Sequence, residues 1–158
     1  MELRTELTPP PLDEELVARL VTLAEALDGS SNEDLRAEFN SLAGTNLSMR
    51  MFQGVYEGDG HLSFVQRLLH KQLVRPVSDV TRDELVEIVR RAMERGPLQE
   101  AYIAIFDANV PRLHASNLIH YPPDYDDISG TWGDGKSVRD YDPSPEQIVG
   151  WALASKSA

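Results

Sequence analysis

Between Thr81 and Gly96 the apolar residues Leu85, Val86, Ile88, Val89, Ala92 and Met93 recur at intervals of three and four, while Asp83, Glu87, Arg90, Arg91 and Glu94 fill the other positions. A repeat of 3.6 residues gathers the first set on one side and the second on the other, so this stretch reads as an amphipathic helix. Its ends are written as clearly. Thr81 with Glu84 forms the pair that reciprocally caps the first turn, and Gly96 with Pro97 stops the last.

The same grammar recurs along the chain. After Pro9 to Pro11, a helix is expected from Leu12, with Leu16, Val17, Leu20, Leu23, Ala24 and Leu27 as its stripe and Gly29 as its stop. Ser31 and Asp34 read as the start of a second, with Leu35, Phe39 and Leu42 inward and Gly44 ending it. Residues 45–60 are broken by glycines and read as loop with a short turn. "HLSFVQRLLHKQL" returns to helical spacing through Leu62, Val65, Leu68 and Leu69. Beyond the Thr81 helix, "LQEAYIAIFDANVP" can turn Leu98, Tyr102, Ile105 and Phe106 to a core, leaving Glu100 and Asp107 on an exposed face until Pro111 ends it. Ser144, Pro145 and Gln147 open a last helix over "EQIVGWALASK". The Asp- and Gly-rich residues between Pro123 and Ser144 read as an extended loop. The expected fold class is therefore all-α.

Pro76 in "VRPVSD" suggests a linker, which places a boundary after residue 78 and divides the chain into 1–78 and 79–158. The halves echo each other: "EELVARLVTLAEA" is like "DELVEIVRRAMER", and "FVQRLLHK" is like "IVGWALASK". Degenerate duplication and independent amphipathic design both account for this.

Composition narrows the function classes. The formal net charge of −11 argues against binding nucleic acid, whose phosphates are gripped by Lys and Arg, and suits a basic protein partner. Having no cysteine, the chain offers no disulfide, thiolate metal site or cysteine nucleophile. No apolar run has the length needed to cross a bilayer, and "MELRTELTPPP" lacks the basic start and apolar stretch of a secretory signal, so a cytoplasmic location is expected. His61, His70, His114 and His120 form no HExxH pair and are expected to be structural or surface residues. "EGDGH" and "WGDGK" do not make a phosphate loop, and Asp124, Asp126 and Asp127 lack the spacing and terminal glutamate of a calcium loop. No catalytic motif and no cofactor are expected.

"SNLIHYPPDYDD", residues 116–127, sets two amphipathic rings before a double proline and an acidic run. Rings with an apolar body and a polar tip serve as interface anchors, although they also close helical cores. "NVPRLHASNLIHYPPDYDD", followed later by "SPEQIVGWAL", resembles the signature of the colicin/pyocin-type bacteriocin immunity proteins. Asn109, Val110 and Pro111 match its first element, Ser116, Leu118, Ile119, Tyr121 and Pro122 its second, and Ser144, Pro145, Glu146, Ile148 and Val149 its third. "TRDELVEIVRRAM" is similar to the family's first helix, so the resemblance spans about residues 79–155.

The resemblance implies a distorted antiparallel four-helix bundle whose short third helix carries the tyrosine motif, with residues 1–78 as an additional helical unit. It also implies binding to the basic nuclease domain of a cognate bacteriocin, which the acidic inhibitor occludes. Carried over by position, the shared hot spot is Ser116, Asn117, His120, Tyr121 and Pro122, and the specificity face on the second helix includes Gln99, Glu100, Ala104 and Asp107. Asn117 stands where the family has Asp and His120 where it has Tyr, and the insertion from Asp124 to Asp142 exceeds the usual acidic turn. A non-catalytic adaptor reusing the same fold is the alternative.

Overall fold

In the computed structural model, which describes residues 1–54, 60–133 and 135–154, the chain is mostly helical. The helices are α1 (Glu14–Leu27), α2 (Glu33–Ala43), α3 (Gly60–Leu73), α4 (Arg82–Met93), α5 (Gln99–Ala108) and α6 (Pro145–Ala154). Two strands of two residues each, β1 (Thr131–Trp132) and β2 (Lys136–Ser137), pair antiparallel as the sheet of the described residues. Of the stretch read as loop before α3, residues 55–59 lie outside the described residues, as do position 134 and residues 155–158.

The chain forms two compact units, and their boundary is not the one suggested by Pro76. Pro10–Leu73 makes one unit, while Met1–Pro9 joins Val74–Ala158 in the other. Leu3 and Leu7 explain why. Both are buried in the core that also holds Leu85, Ile88, Phe106 and Leu118, so the opening heptapeptide is bound to the C-terminal unit by apolar burial. Polar contacts fix its register. Arg4 donates from Nε to Glu84 Oε2 at 2.7 Å, from a terminal nitrogen to Glu84 Oε1 at 3.0 Å and from the other to Asp79 at 3.2 Å. The terminal amine lies 3.4 Å from Glu87, and Arg91 donates to the Met1 carbonyl at 3.2 Å. Glu87, read as solvent-facing from its helical position, is consequently buried beneath the N-terminal segment.

The unit of residues 10–73 packs α1, α2 and α3 around Leu20, Leu23, Leu27, Phe39, Phe52 and Val65. Phe39 and Phe52 meet edge to face at 4.8 Å, with Phe64 completing the aromatic centre. Asp13 caps α1 by accepting from the backbone of Glu15 and Leu16. Asn32, rather than Ser31, caps α2, its carboxamide accepting from Asp34 and Leu35. The inward face is the row of Leu35, Phe39 and Ala43, four residues apart, with Asn40 beside it, and Leu42 is exposed. Asn40 is satisfied there by Thr45 and by both backbone groups of Leu47. On α3, Phe64, Val65, Leu69 and His70 face inward while Leu62 is exposed. The first turn of α3 is tied to the end of α1 by His61, whose Nε2 lies 2.9 Å from Asp28, and Gln53 bonds the carbonyls of Leu27 and Ser30 in the loop after α1.

In the other unit α4 packs on α5 and α6, and the predicted Thr81–Glu84 capping box is complete. Leu98, expected inside, is exposed just ahead of α5. The third element of the expected bundle is a single 3-10 helix, Ala115–Ile119, packed on α5 and α6. The segment between it and α6 is not an extended loop. It folds back through an Asp126–Thr131 bridge, the β1–β2 pair and a 3-10 turn at Val138–Asp140.

Candidate partner-binding site

The site is built outward from the 3-10 helix Ala115–Ile119. With three residues per turn, side chains three apart eclipse one another. Ala115 and Leu118 therefore both enter the core, and Asn117 and His120 both face out. The approach is fixed by His114, whose φ of 54° is in the left-handed region. The start of the turn is fixed by Asp107 of α5. Its carboxylate accepts from the Ser116 amide at 2.7 Å and from the Ser116 hydroxyl at 2.7 Å. Asp107, assigned by position to the specificity face, thus acts on the turn from behind.

The far end is fixed as firmly. The Asn117 carbonyl accepts from the amides of both His120, at 3.1 Å, and Tyr121, at 2.8 Å. Pro122 follows, buried, and locks the next backbone angle. The Leu118 carbonyl takes a short hydrogen bond from the Tyr141 hydroxyl. His120 and Tyr121 consequently project from a turn whose backbone groups are held on several sides. Tyr121 is half exposed, and its ring lies 5.0 Å from that of Tyr125.

The remaining positions divide. Glu100 is exposed and Ala104 half-buried on α5. Gln99 is turned back, its amide donating to the Ala92 carbonyl at 3.0 Å and so closing the C-terminus of α4. Ser116, Asn117, His120, Tyr121 and Pro122 are brought together on one turn, and Pro122 contributes from beneath rather than as contact surface. Asn109 of the first motif element is also a support: it accepts from the Val77 amide at 2.7 Å and donates to the Ile105 carbonyl at 2.8 Å.

Tyr141 stands out in the sequence with Trp132 as a ring of the insertion, but its role as a support of the 3-10 turn was not legible there. Its ring meets Trp132 edge to face at 5.4 Å and stacks on Trp151 of α6 at 6.2 Å, and burial pushes its phenol up to about 12, so it remains a donor to Leu118. The two rings of "TWGDGKSVRDYD", Trp132 and Tyr141, set in an otherwise polar stretch, were the available signal, but nothing in their spacing tells which ring turns toward α6.

The charged groups around the α4–α5 junction are largely committed to one another. An open cleft of about 470 Å³ there is lined by Arg90, Arg91, Arg95 and Tyr102. Arg90 pairs with Glu87 and Glu94, and Arg91 bonds Glu87 and the Tyr102 hydroxyl. Burial acts to raise the Glu87 carboxyl, and hydrogen bonds from Arg90 and Arg91 outweigh it, holding the group below the usual range. Glu84 is held low chiefly by Arg4, with help from the Thr81 amide. Among the described residues, no group of three or more His, Asp or Glu side chains is placed to hold a metal ion, and no helix is long and apolar enough to cross a membrane.

Comparison of the chain with protein-family models, with curated proteins and with solved structures finds no match in any of the three.

Proposed function

We propose that the protein is a non-catalytic immunity protein that binds and neutralises a cognate bacteriocin-like toxin, with the basic nuclease domain of that toxin as its partner. The observation that carries this reading is the pair His120 and Tyr121, exposed on a backbone held by Asp107, Asn117 and Pro122. A half-exposed tyrosine on a flexible loop loses conformational entropy when it docks. One already held in place loses little, so more of its contact energy appears as affinity. The exposed Asp124, Asp126 and Asp127 follow the pair in the chain, which as a whole carries −11, and this charge attracts a cationic surface and raises the rate of encounter. The sequence likeness over "NVPRLHASNLIHYPP" and "SPEQIVGWAL" supports the same partner class.

In this reading the protein excludes nucleic acid from the nuclease by bulk and by like charge. Tyr121 supplies the central contact, and the acids at its edge set the association rate. Glu100 and Ala104 of α5 supply contacts that differ between partners, while Asp107 and Gln99 hold the scaffold.

The test is affinity capture from a lysate of the source cells, with the wild-type protein and Tyr121→Ala as baits and the captured proteins identified by mass spectrometry. Recovery of a basic nuclease domain by the wild type, greatly reduced with the variant, is the expected result. Recovery of no nuclease, or of one nuclease equally by both baits, contradicts the assignment.

A further inference from the structure

We propose that the segment inserted between the 3-10 turn and α6, residues 124–142, is a second arm of the partner-binding surface, with Ile128 as its apolar anchor for the same basic protein. This rests on the function proposed above and extends it to an insertion for which the family likeness implies no role.

The arm begins at the knob itself. Tyr125 lies against Tyr121, so the aromatic surface passes from the 3-10 turn directly into the insertion. Three residues on, Ile128 is 94% exposed. A single exposed aliphatic residue is ordinary on a protein surface and means nothing by itself. What distinguishes Ile128 is the rigidity of the turn that presents it. Asp126 accepts from the Ile128 amide at 3.0 Å and from the Ser129 hydroxyl at 3.0 Å. The Asp126 amide donates to the Thr131 carbonyl and its carbonyl accepts from Gly130, both at 2.9 Å, so the turn is closed on itself. Gly130 supplies the left-handed φ of 69° that this closure needs.

The base of the arm is fixed as well. Gly133 donates to Asp124 at 2.8 Å, and the Trp132, Tyr141 and Trp151 rings tie the hairpin to α6. Because Tyr141 also donates to Leu118, the arm and the knob share a support and are held as one surface.

Charge selects the occupant. Residues 124–142 contain six aspartates against Lys136 and Arg139, and Lys136 is drawn over the Trp132 ring at 4.8 Å. Asp126 is kept ionised by the Ile128 amide and the Ser129 hydroxyl. An exposed apolar side chain rimmed by Asp124, Asp126 and Asp127 matches a shallow apolar socket in a cationic protein surface. It is poorly suited to nucleic acid or to an anionic membrane.

The experiment places the photo-cross-linker p-benzoylphenylalanine at position 128, at position 121 and, as a control, at position 42 on α2. Each protein is irradiated with the basic nuclease domain recovered by affinity capture and then expressed separately. Cross-links to the nuclease from 121 and 128 but not from 42 are expected. A cross-link from 121 alone overturns the second arm and leaves the knob standing. Absence of cross-links from both, with a nuclease that the wild type captures, overturns the second arm and the placement of the knob together, whereas failure of the capture itself sinks the underlying function. Cross-linking of two copies of this chain through 128 assigns the face to self-association and overturns the inference. In parallel, Ile128→Asp is expected to weaken binding about tenfold or more, the scale on which a docked anchor acts, with an unchanged thermal midpoint because the side chain is in solvent. Unaltered affinity overturns the proposal.

Discussion

Tyr121 and Asp107 illustrate two ways a residue serves one surface. Tyr121 is half exposed, so replacing it by Ala removes contact area without opening a core. Tyr121→Ala is expected to weaken partner binding by about 2 kcal/mol, roughly thirtyfold, while leaving the thermal midpoint within experimental error; titration calorimetry and a melting curve check the two halves separately. Asp107 reaches the proposed partner-binding surface through Ser116, accepting from its amide and hydroxyl. Asp107→Ala leaves that amide without its partner and is expected to cost about 1–2 kcal/mol of stability, together with a loss of affinity that Asp107→Asn partly restores. A residue making direct contact would show the affinity loss without the stability loss, and parallel measurement of both separates the roles. Asp107 was legible in the sequence as an exposed acid seven residues from Glu100. That its partner is Ser116 depends on where the chain returns after Pro111, which no helical period encodes.

At the scale of elements, the stripes and caps written in the sequence account for six helices, and the Thr81–Glu84 box and the Ser144–Gln147 pair occur as read. Local rules succeed there because both partners lie within one turn. They fail where a distant segment intervenes. Glu87 stands on the polar side of its helix by spacing and is buried because residues 1–7 cover it. Leu42 stands on the apolar stripe by spacing and is exposed, because the packing of α2 turns the row of Leu35, Phe39 and Ala43 to the core instead.

The low-held carboxyls of Glu84 and Glu87 make a prediction for α4. The unfolded chain binds protons at these sites near pH 4.5 and the folded chain only below that, so the stabilisation is present above this value and is lost as the pH falls through it. Both tryptophans, Trp132 and Trp151, lie in this unit, so an acid titration followed by tryptophan emission should show its destabilisation below about pH 4.5; emission independent of pH down to 3 contradicts the role given to Arg4 and the amine. His70 of α3 behaves in the same sense at a higher pH. Burial lowers its pKa, partly offset by a hydrogen bond with the Pro10 backbone, so stability is lost as the pH drops below 6.5 and the unfolded chain becomes protonated. His70→Gln is expected to flatten the stability of the unit between pH 7 and 5, measured by urea denaturation followed by circular dichroism.

For the molecule as a whole, residues 10–73 form a unit set between the first and second segments of the other one. The heptapeptide Met1–Leu7 is therefore part of the C-terminal unit's core, and Leu7→Ala should destabilise that unit by about 3 kcal/mol, the cost of truncating a fully buried leucine. Replacing residues 10–73 by a short Gly-Ser linker should leave a folded unit that retains the partner contact, because Leu3, Leu7, Val74 and Val77 all pack on one core. The boundary expected after residue 78 from the proline in "VRPVSD" differs from the division between Leu73 and Val74. That the other boundary lies at Pro9 could not be read from spacing, since two leucines in seven residues carry no pattern, and only their burial beside Leu85 and Phe106 reveals it.

The central claim is that the surface carrying His120 and Tyr121 silences a basic nuclease, and inhibition tests it most directly. The recovered nuclease domain is incubated with nucleic acid and an equimolar amount of this protein, and degradation is followed on a gel. The wild type is predicted to stop degradation, Tyr121→Ala to require a large excess, and the variant lacking residues 10–73 to inhibit like the wild type. Degradation that continues unchanged in the presence of excess wild-type protein contradicts the account.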